Sequence, residues 1–269
     1  MLYRDSPASP TLPTLVLVHG SWHDGGCWSP VQEQLAAAGV RSIAPTLPGH
    51  GLGDDRVGVG HGDYVASVAD ALAGLCGPAV LVGHSFGGTV ISRVAELHPE
   101  QCRGLVYYSA FVPRDGECVA DSLPAQFIEF LDQAAAASAD RTITLPDELL
   151  RHAFANTADV DAVTRIRALL VPEPHAPIFE TLALPNFTSL GVPTAYISCR
   201  HDLSLPPGAF HPGQSSRLHE PELIEIDGDH ESLLTAPERL ADALLDALDA
   251  ILAASRPHPK REHAASGAL

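Results

Sequence analysis

A chain of 269 residues with 45% hydrophobic content is long enough to bury one large core, and α/β chains of this length commonly form a single domain carrying an insertion. Sixteen Lys and Arg against 33 Asp and Glu give a formal net charge of −17, which favours solubility, repels polyphosphate backbones and excludes nucleic acid as an expected partner. Five cysteines without CxxC spacing, an N-terminus (MLYRDSPASP) lacking an apolar signal core, and no apolar run of the ~20 residues that span a bilayer predict a reduced, cytoplasmic setting.

The first element is TLVLV (14–18), a continuous apolar run that reads as a strand covered on both faces and ends at His19-Gly20. A helix follows over 29–38, with Ser29 as its expected cap, Pro30 at the first helical position and Gly39 closing it. Strand 40–45 then leads through the loop TLPGHGLGDD to a helix over 62–75. Strand 79–83, helix 87–98 and strand 104–109 continue the alternation. Strands alternating with helices imply parallel pairing and right-handed crossovers, hence an α/β fold with a doubly wound, mostly parallel sheet. From 113 to 186 the alternation stops in favour of helical, turn-rich text without a convincing strand, which predicts an inserted helical cap. The sheet pattern resumes at 193–199 and 222–227, and a last helix is expected over about 232–254 with Leu233, Leu234, Leu240, Ala243, Leu244, Leu248 and Ile251 on one face. The core is therefore expected to comprise 1–112 and 187–254, the cap 113–186, and residues 255–269 a disordered polar tail. That tail holds Lys260, the single lysine, so Schiff-base chemistry on a buried lysine is not expected.

The stretch VLVGHSFGGTVI (80–91) places Ser85 in a G-x-S-x-G turn between a strand and a helix. Glycines at 83 and 87 leave space for a sharp elbow, and the following helix supplies unpaired N–H groups and the positive end of its dipole. A nucleophilic serine needs a base and an orienting carboxylate. Asp202 follows strand 193–199, and His230 follows strand 222–227 in the segment Gly-Asp-His, so both fall at strand ends where such folds assemble sites. The backbone N–H groups of Ser21, after the first strand, and Phe86 are the expected pair of oxyanion donors. His50, His84, His98, His201, His211 and His219 read as packing or surface residues. Asp227 and Asp229 lie too near His230 in sequence to orient its far nitrogen easily. No HxHxDH or HExxH spacing occurs, and neither a metal nor a cofactor is expected.

With these residues assembled, the chain resembles the α/β-hydrolases. Within them it is similar to the small esterase group of plant methyl-ester hydrolases, hydroxynitrile lyases and bacterial pyrethroid-type carboxylesterases. The resemblance rests on LVLVHGSWHDGGCW, LPGHG, VLVGHSFGGTVI, GLVYYSAFVP, YISCRHD and GDHESLLTAPERLADAL. It implies Ser85 as nucleophile, His230 as general base and then acid, Asp202 as orienting carboxylate, and Ser21 and Phe86 as backbone oxyanion donors. It also puts His23 near the pocket floor and makes Gly20 and Glu231 substrate-contacting positions. Asp115 and Glu117, after strand 104–109, are the alternative acids. The lyases resemble one another in a threonine and a lysine where this chain has Gly20 and Glu231, which disfavours cyanide-releasing chemistry, and Glu231 biases a site against anionic substrates.

The expected reaction is acyl transfer from a small to medium apolar carboxylic ester, lactone or thioester. Phe127, Phe130, Leu131, Phe154, Phe179 and Phe187 of the insertion are the pool for an apolar wall. The alternatives are non-hydrolytic chemistry on the same triad, such as lyase, C–C cleavage or cyclisation steps, and a receptor-like ligand-binding module. An epoxide hydrolase or dehalogenase would need a carboxylate at the elbow, where Ser85 stands. The expected partner is a small apolar molecule; self-association into a homodimer is left open.

Overall fold

In the computed structural model, which describes residues 12–206, 208 and 210–255, the first strand, β1 (Leu15–Val18), is buried along its whole length. Its neighbours explain why: the six-stranded sheet runs β2-β1-β3-β4-β7-β8, and every adjacent pair is parallel. The strands are β2 (Ser42–Ile43), β3 (Ala79–His84), β4 (Cys102–Tyr108), β7 (Thr194–Cys199) and β8 (Glu222–Ile226). Alternate residues serve two cores. Leu15, Leu17, Val80, Val82, Val106 and Tyr108 pack on one face, against α1 (Ser29–Ala37) and α9 (Pro237–Ala254). Val16, Val18, Leu81, Leu105 and Tyr107 pack on the other, against α2 (His61–Ala73) and α3 (Gly87–Leu97). A sheet covered on both faces is why its strands read as unbroken apolar runs. This is the α/β-hydrolase fold class expected from the sequence.

Several element boundaries differ. Ser29 is the first residue of α1 and makes no cap; Trp28 occupies the cap position without a side-chain bond, and Pro30 sits in the first turn. The strand expected over 40–45 narrows to two residues. The final helix is broken at Ala236 (φ −148°) into α8 (Ser232–Thr235) and α9, because Pro237 excludes the helical conformation from the residue before it.

The segment between β4 and β7 carries α4 (Ala125–Ala137), α5 (Asp147–Leu149) running into a π-helical turn (Leu150–Phe154), α6 (Val160–Arg167) and α7 (Ala176–Phe179). It is not free of strand. β5 (Thr142–Ile143) and β6 (Glu173–Pro174) form a two-stranded antiparallel ladder, too short to leave a periodicity. Leu131, Ile143, Leu150, Phe154, Val163 and Ile166 belong to the same contiguous cluster as Val16 and Leu81, so the insertion shares a core with the sheet. The expected tail over 255–269 lies, past Ser255, outside the described residues. No helix among the described residues is long and apolar enough to cross a membrane.

Leu244 is 1% exposed in the α9 core, and truncation there leaves a cavity between helix and sheet. Leu244→Ala should lower the free energy of unfolding by about 2–5 kcal/mol, read from the urea midpoint; an unchanged midpoint would contradict this packing.

Candidate active site

β3 ends at His84 and α3 begins at Gly87, so Ser85 and Phe86 alone make the turn between them. The glycines are needed for clearance. A Cβ on Gly83 would lie 2.7 Å from the Gly87 backbone, and one on Gly87 would lie 2.6 Å from the Val18 carbonyl oxygen. Ser85 adopts φ +51°, a left-handed conformation that costs a non-glycine residue on the order of 1–2 kcal/mol. Its neighbours hold it there: Ser85 N–H donates to the Tyr108 carbonyl at 3.2 Å, and Ser85 C=O accepts from Phe111 N–H at 3.1 Å and Gly88 N–H at 3.2 Å.

His230 lies two residues before α8, and its Nδ1–H donates to Asp202 Oδ2 at 2.8 Å. Asp202 Oδ1 accepts from Ser204 N–H, Ser204 Oγ–H and Leu205 N–H at 2.8–2.9 Å, so every oxygen of this buried carboxylate is satisfied. Burial opposes ionisation of Asp202, but the His230 ring and these donors outweigh it and hold its pKa below the usual carboxylate value. His230 shows the converse: burial disfavours its cation, yet Asp202 above all, with Glu231 and Asp229, raises its pKa above 6.5. The backbone of His230 is fixed as well. His84 Nε2–H, at 3.1 Å, and Tyr108 O–H, at 2.8 Å, both donate to the His230 carbonyl. His84 also stacks on Tyr108 with ring centroids 4.7 Å apart, and burial holds it neutral. The alternative acids are engaged elsewhere, Asp115 with Leu184 N–H and Glu117 with Arg114 and Arg217.

The two candidate oxyanion donors are oriented through their peptide planes. In a trans peptide the C=O and N–H point in opposite directions, so pinning one aims the other. The Ser85 carbonyl is held as above, which turns Phe86 N–H away from the sheet. The Gly20 carbonyl accepts from His19 Nδ1–H at 2.9 Å, while His19 Nε2 accepts from Leu47 N–H at 3.0 Å, and this fixes the peptide that carries Ser21 N–H. Among the described residues neither Ser21 N–H nor Phe86 N–H has a protein partner. Gly20 belongs to the same packing: a Cβ there would lie 2.8 Å from Ser85 Cβ.

Ser21, Ser85, Phe86 and His230 line one cavity of about 530 Å³. Its walls are mainly apolar, and Phe127, Leu131 and Phe154 come from the expected apolar pool, whereas Phe130, Phe179 and Phe187 pack against the core instead. Three placements correct the sequence reading. Gly20, His23 and Glu231 do not line the cavity: Gly20 sits under Ser85, and His23 Nε2–H donates to the Glu231 carboxylate at 3.0–3.1 Å in a buried pair behind His230. Burial disfavours the Glu231 anion, but His23 more than compensates and keeps its pKa low. Asp229, fully buried, accepts from Thr157 N–H and Oγ–H of the insertion and from Thr235 Oγ–H and Glu231 N–H. His19, Asp229 and the insertion's Glu173, which accepts from Trp22 N–H, are site-building residues that carry no motif of their own. Among the described residues no group of three or more His, Cys, Asp or Glu is arranged to hold a metal.

A model of the alpha/beta hydrolase family matches residues 15–243. An extracellular alpha/beta-hydrolase from a Paenibacillus species superposes with a TM-score of 0.83 at 37% identity, covering 87% of this chain and 98% of that one. The pyrethroid hydrolase of Sphingobium wenxiniae is 29% identical over 255 residues, 89% of each chain. Methylesterase 7 of Arabidopsis thaliana is 26% identical over 255 residues, 87% of this chain and 95% of its own. By name, one of these relatives is a pyrethroid hydrolase and another a methylesterase. One is extracellular, so kinship lends no support to a cytoplasmic setting.

The raised pKa of His230 has a kinetic consequence, because only its neutral form can accept a proton. Reaction of Ser85 with a fluorophosphonate should rise with pH along an acid limb centred above 6.5. Glu231→Gln removes one of the carboxylates that favour the cation, so the limb should move to lower pH; an unmoved or raised midpoint would contradict the assignment.

Proposed function

This chain belongs to the alpha/beta hydrolase family, and on that premise we propose that it is a serine esterase acting through an acyl-enzyme. The observation that carries the reading is the convergence on one apolar cavity of Ser85, a histidine bonded to a buried carboxylate, and two peptide N–H groups without protein partners among the described residues.

In the proposed cycle Ser85 Oγ attacks the ester carbonyl while His230 Nε2 takes its proton. Asp202 holds the ring in the required tautomer and stabilises the imidazolium. The carbonyl oxygen becomes an anion between Ser21 N–H and Phe86 N–H, donors already oriented before the substrate arrives and so requiring little reorganisation. His230 returns the proton to the departing alcohol, and water, activated by the same ring, releases the acid.

The cavity argues for the substrate class. Leu123, Phe127, Leu131, Phe154, Leu205 and Phe210 offer hydrocarbon and aromatic surface, whereas among the described residues no lysine or arginine lies on the wall and Asp121 does. A free carboxylate on the substrate would be desolvated there without a counter-ion. The reading is therefore a neutral, apolar carboxylic ester of drug-like size, with α4–α7 forming a cap over Ser85. The hydrolase and methylesterase names of two relatives are consistent with it.

The wild-type chain should be labelled by a fluorophosphonate at Ser85 and should hydrolyse p-nitrophenyl butyrate. In H₂¹⁸O the heavy oxygen should appear in the butyrate. Ser85→Ala should abolish labelling and lower kcat by about 10³-fold or more. A folded wild-type chain that takes no label would overturn the nucleophile, and turnover without heavy oxygen in the acid would overturn hydrolysis in favour of a lyase or transferase.

A further inference from the structure

Trp22 follows the candidate oxyanion residue Ser21 and has φ +64°, a conformation that a bulky residue holds only when its surroundings impose it. Here the surroundings are the insertion. Trp22 N–H donates to Glu173 Oε2 at 3.1 Å, Trp22 C=O accepts from Val171 N–H at 2.8 Å, and the Trp22 indole N–H donates to the Ile143 carbonyl at 3.0 Å. Ile143 and Glu173 are cross-strand partners in the β5–β6 ladder, so one register pair grips both the backbone and the ring of Trp22.

Glu173 is 1% exposed, and a buried carboxylate is costly unless donors surround it. Besides Trp22 it accepts from His50 Nε2–H at 2.9 Å and Tyr64 O–H at 3.4 Å. His50 Nδ1 lies 3.2 Å from the Pro48 carbonyl, so both ring nitrogens face acceptors and the imidazolium fits the site. The charge is therefore fixed in position by core residues while its own strand belongs to the insertion.

A carboxylate attracts an N–H and repels a carbonyl. Glu173 thereby selects one of the two orientations open to the Ser21–Trp22 peptide, since a flipped peptide would present the Ser21 carbonyl to its oxygens. We propose that Glu173 is a positioning residue of the oxyanion hole: by holding the Ser21–Trp22 peptide from the insertion side, it keeps Ser21 N–H aimed above Ser85. Ser21 N–H itself belongs to the preceding peptide, whose carbonyl His19 holds, so Glu173 acts on it through the Ser21 backbone, and the two peptides flanking Ser21 are held one from the core and one from the insertion. The insertion is on this account part of the catalytic framework, not only a cover over the cavity. The inference rests on the serine-esterase reading.

The test compares the second-order rate of fluorophosphonate labelling, and kcat and KM for p-nitrophenyl butyrate, in the wild-type chain and variants at position 173. Glu173→Ala should label about 10-fold or more slowly, with the loss in turnover falling on kcat and KM staying within about threefold. Glu173→Met fills the same volume without an acceptor and carries the same expectation where the alanine variant does not fold. Glu173→Gln, whose amide oxygen can accept from Trp22 N–H, should recover most of the rate. A purely structural role would lower the melting temperature of folded variants without separating the glutamine variant from the methionine one in labelling rate. Wild-type labelling with equally fast Glu173→Ala or Glu173→Met overturns this inference alone; a wild-type chain that takes no label overturns the esterase reading and this inference with it.

Discussion

Two carbonyls, those of Gly20 and Ser85, are tied back into the protein, and the chemistry of the site depends on that constraint. Each belongs to a peptide whose N–H is thereby turned away from the sheet, where among the described residues no protein group takes it. An N–H group without a partner in a poorly hydrated site costs free energy while it waits and repays it only when an anion arrives. Much of the local architecture serves this. Gly83 and Gly87 allow the elbow to close, Phe111 and Gly88 hold the Ser85 carbonyl, and His19 holds Gly20 while anchoring on Leu47. The sheet contributes the rigid platform, because β1 and β3 lie side by side and place their C-terminal turns next to each other.

The second organising feature is buried negative charge. Asp202, Asp229 and Glu231 are all within the shell around His230, and each has its own donors, so none is left as an uncompensated ion. Their combined field favours the imidazolium form of His230 over the neutral ring. Two of these acids also join parts of the fold: Asp229 ties Thr157 of the insertion to the loop that carries His230, and Asp202 closes the turn after β7.

How much of this was legible in the sequence depended on distance along the chain. The elbow is local: the pattern of glycines around Ser85, the apolar run before it and the helix after it lie within twelve residues, and the structure places them as read. Asp202 and His230 were visible because strand ends collect polar residues in sheets covered on both faces. Glu173 was not. It meets Trp22 from 151 residues away and sits in a two-residue strand that leaves no alternation to detect. The break at Ala236 carried a signal in Pro237, but the apolar spacing running through it reads as one helix. Glu231 and His23 illustrate the opposite case, since the family resemblance implies pocket positions for both, whereas mutual pairing buries them outside the cavity lining.

The crystal structure of the fluorophosphonate adduct tests the central claim most directly. The account predicts phosphorus bonded to Ser85 Oγ, with the phosphoryl oxygen about 2.7–3.1 Å from both Ser21 N and Phe86 N. An adduct on another residue, or a phosphoryl oxygen turned away from those two amides, would contradict it.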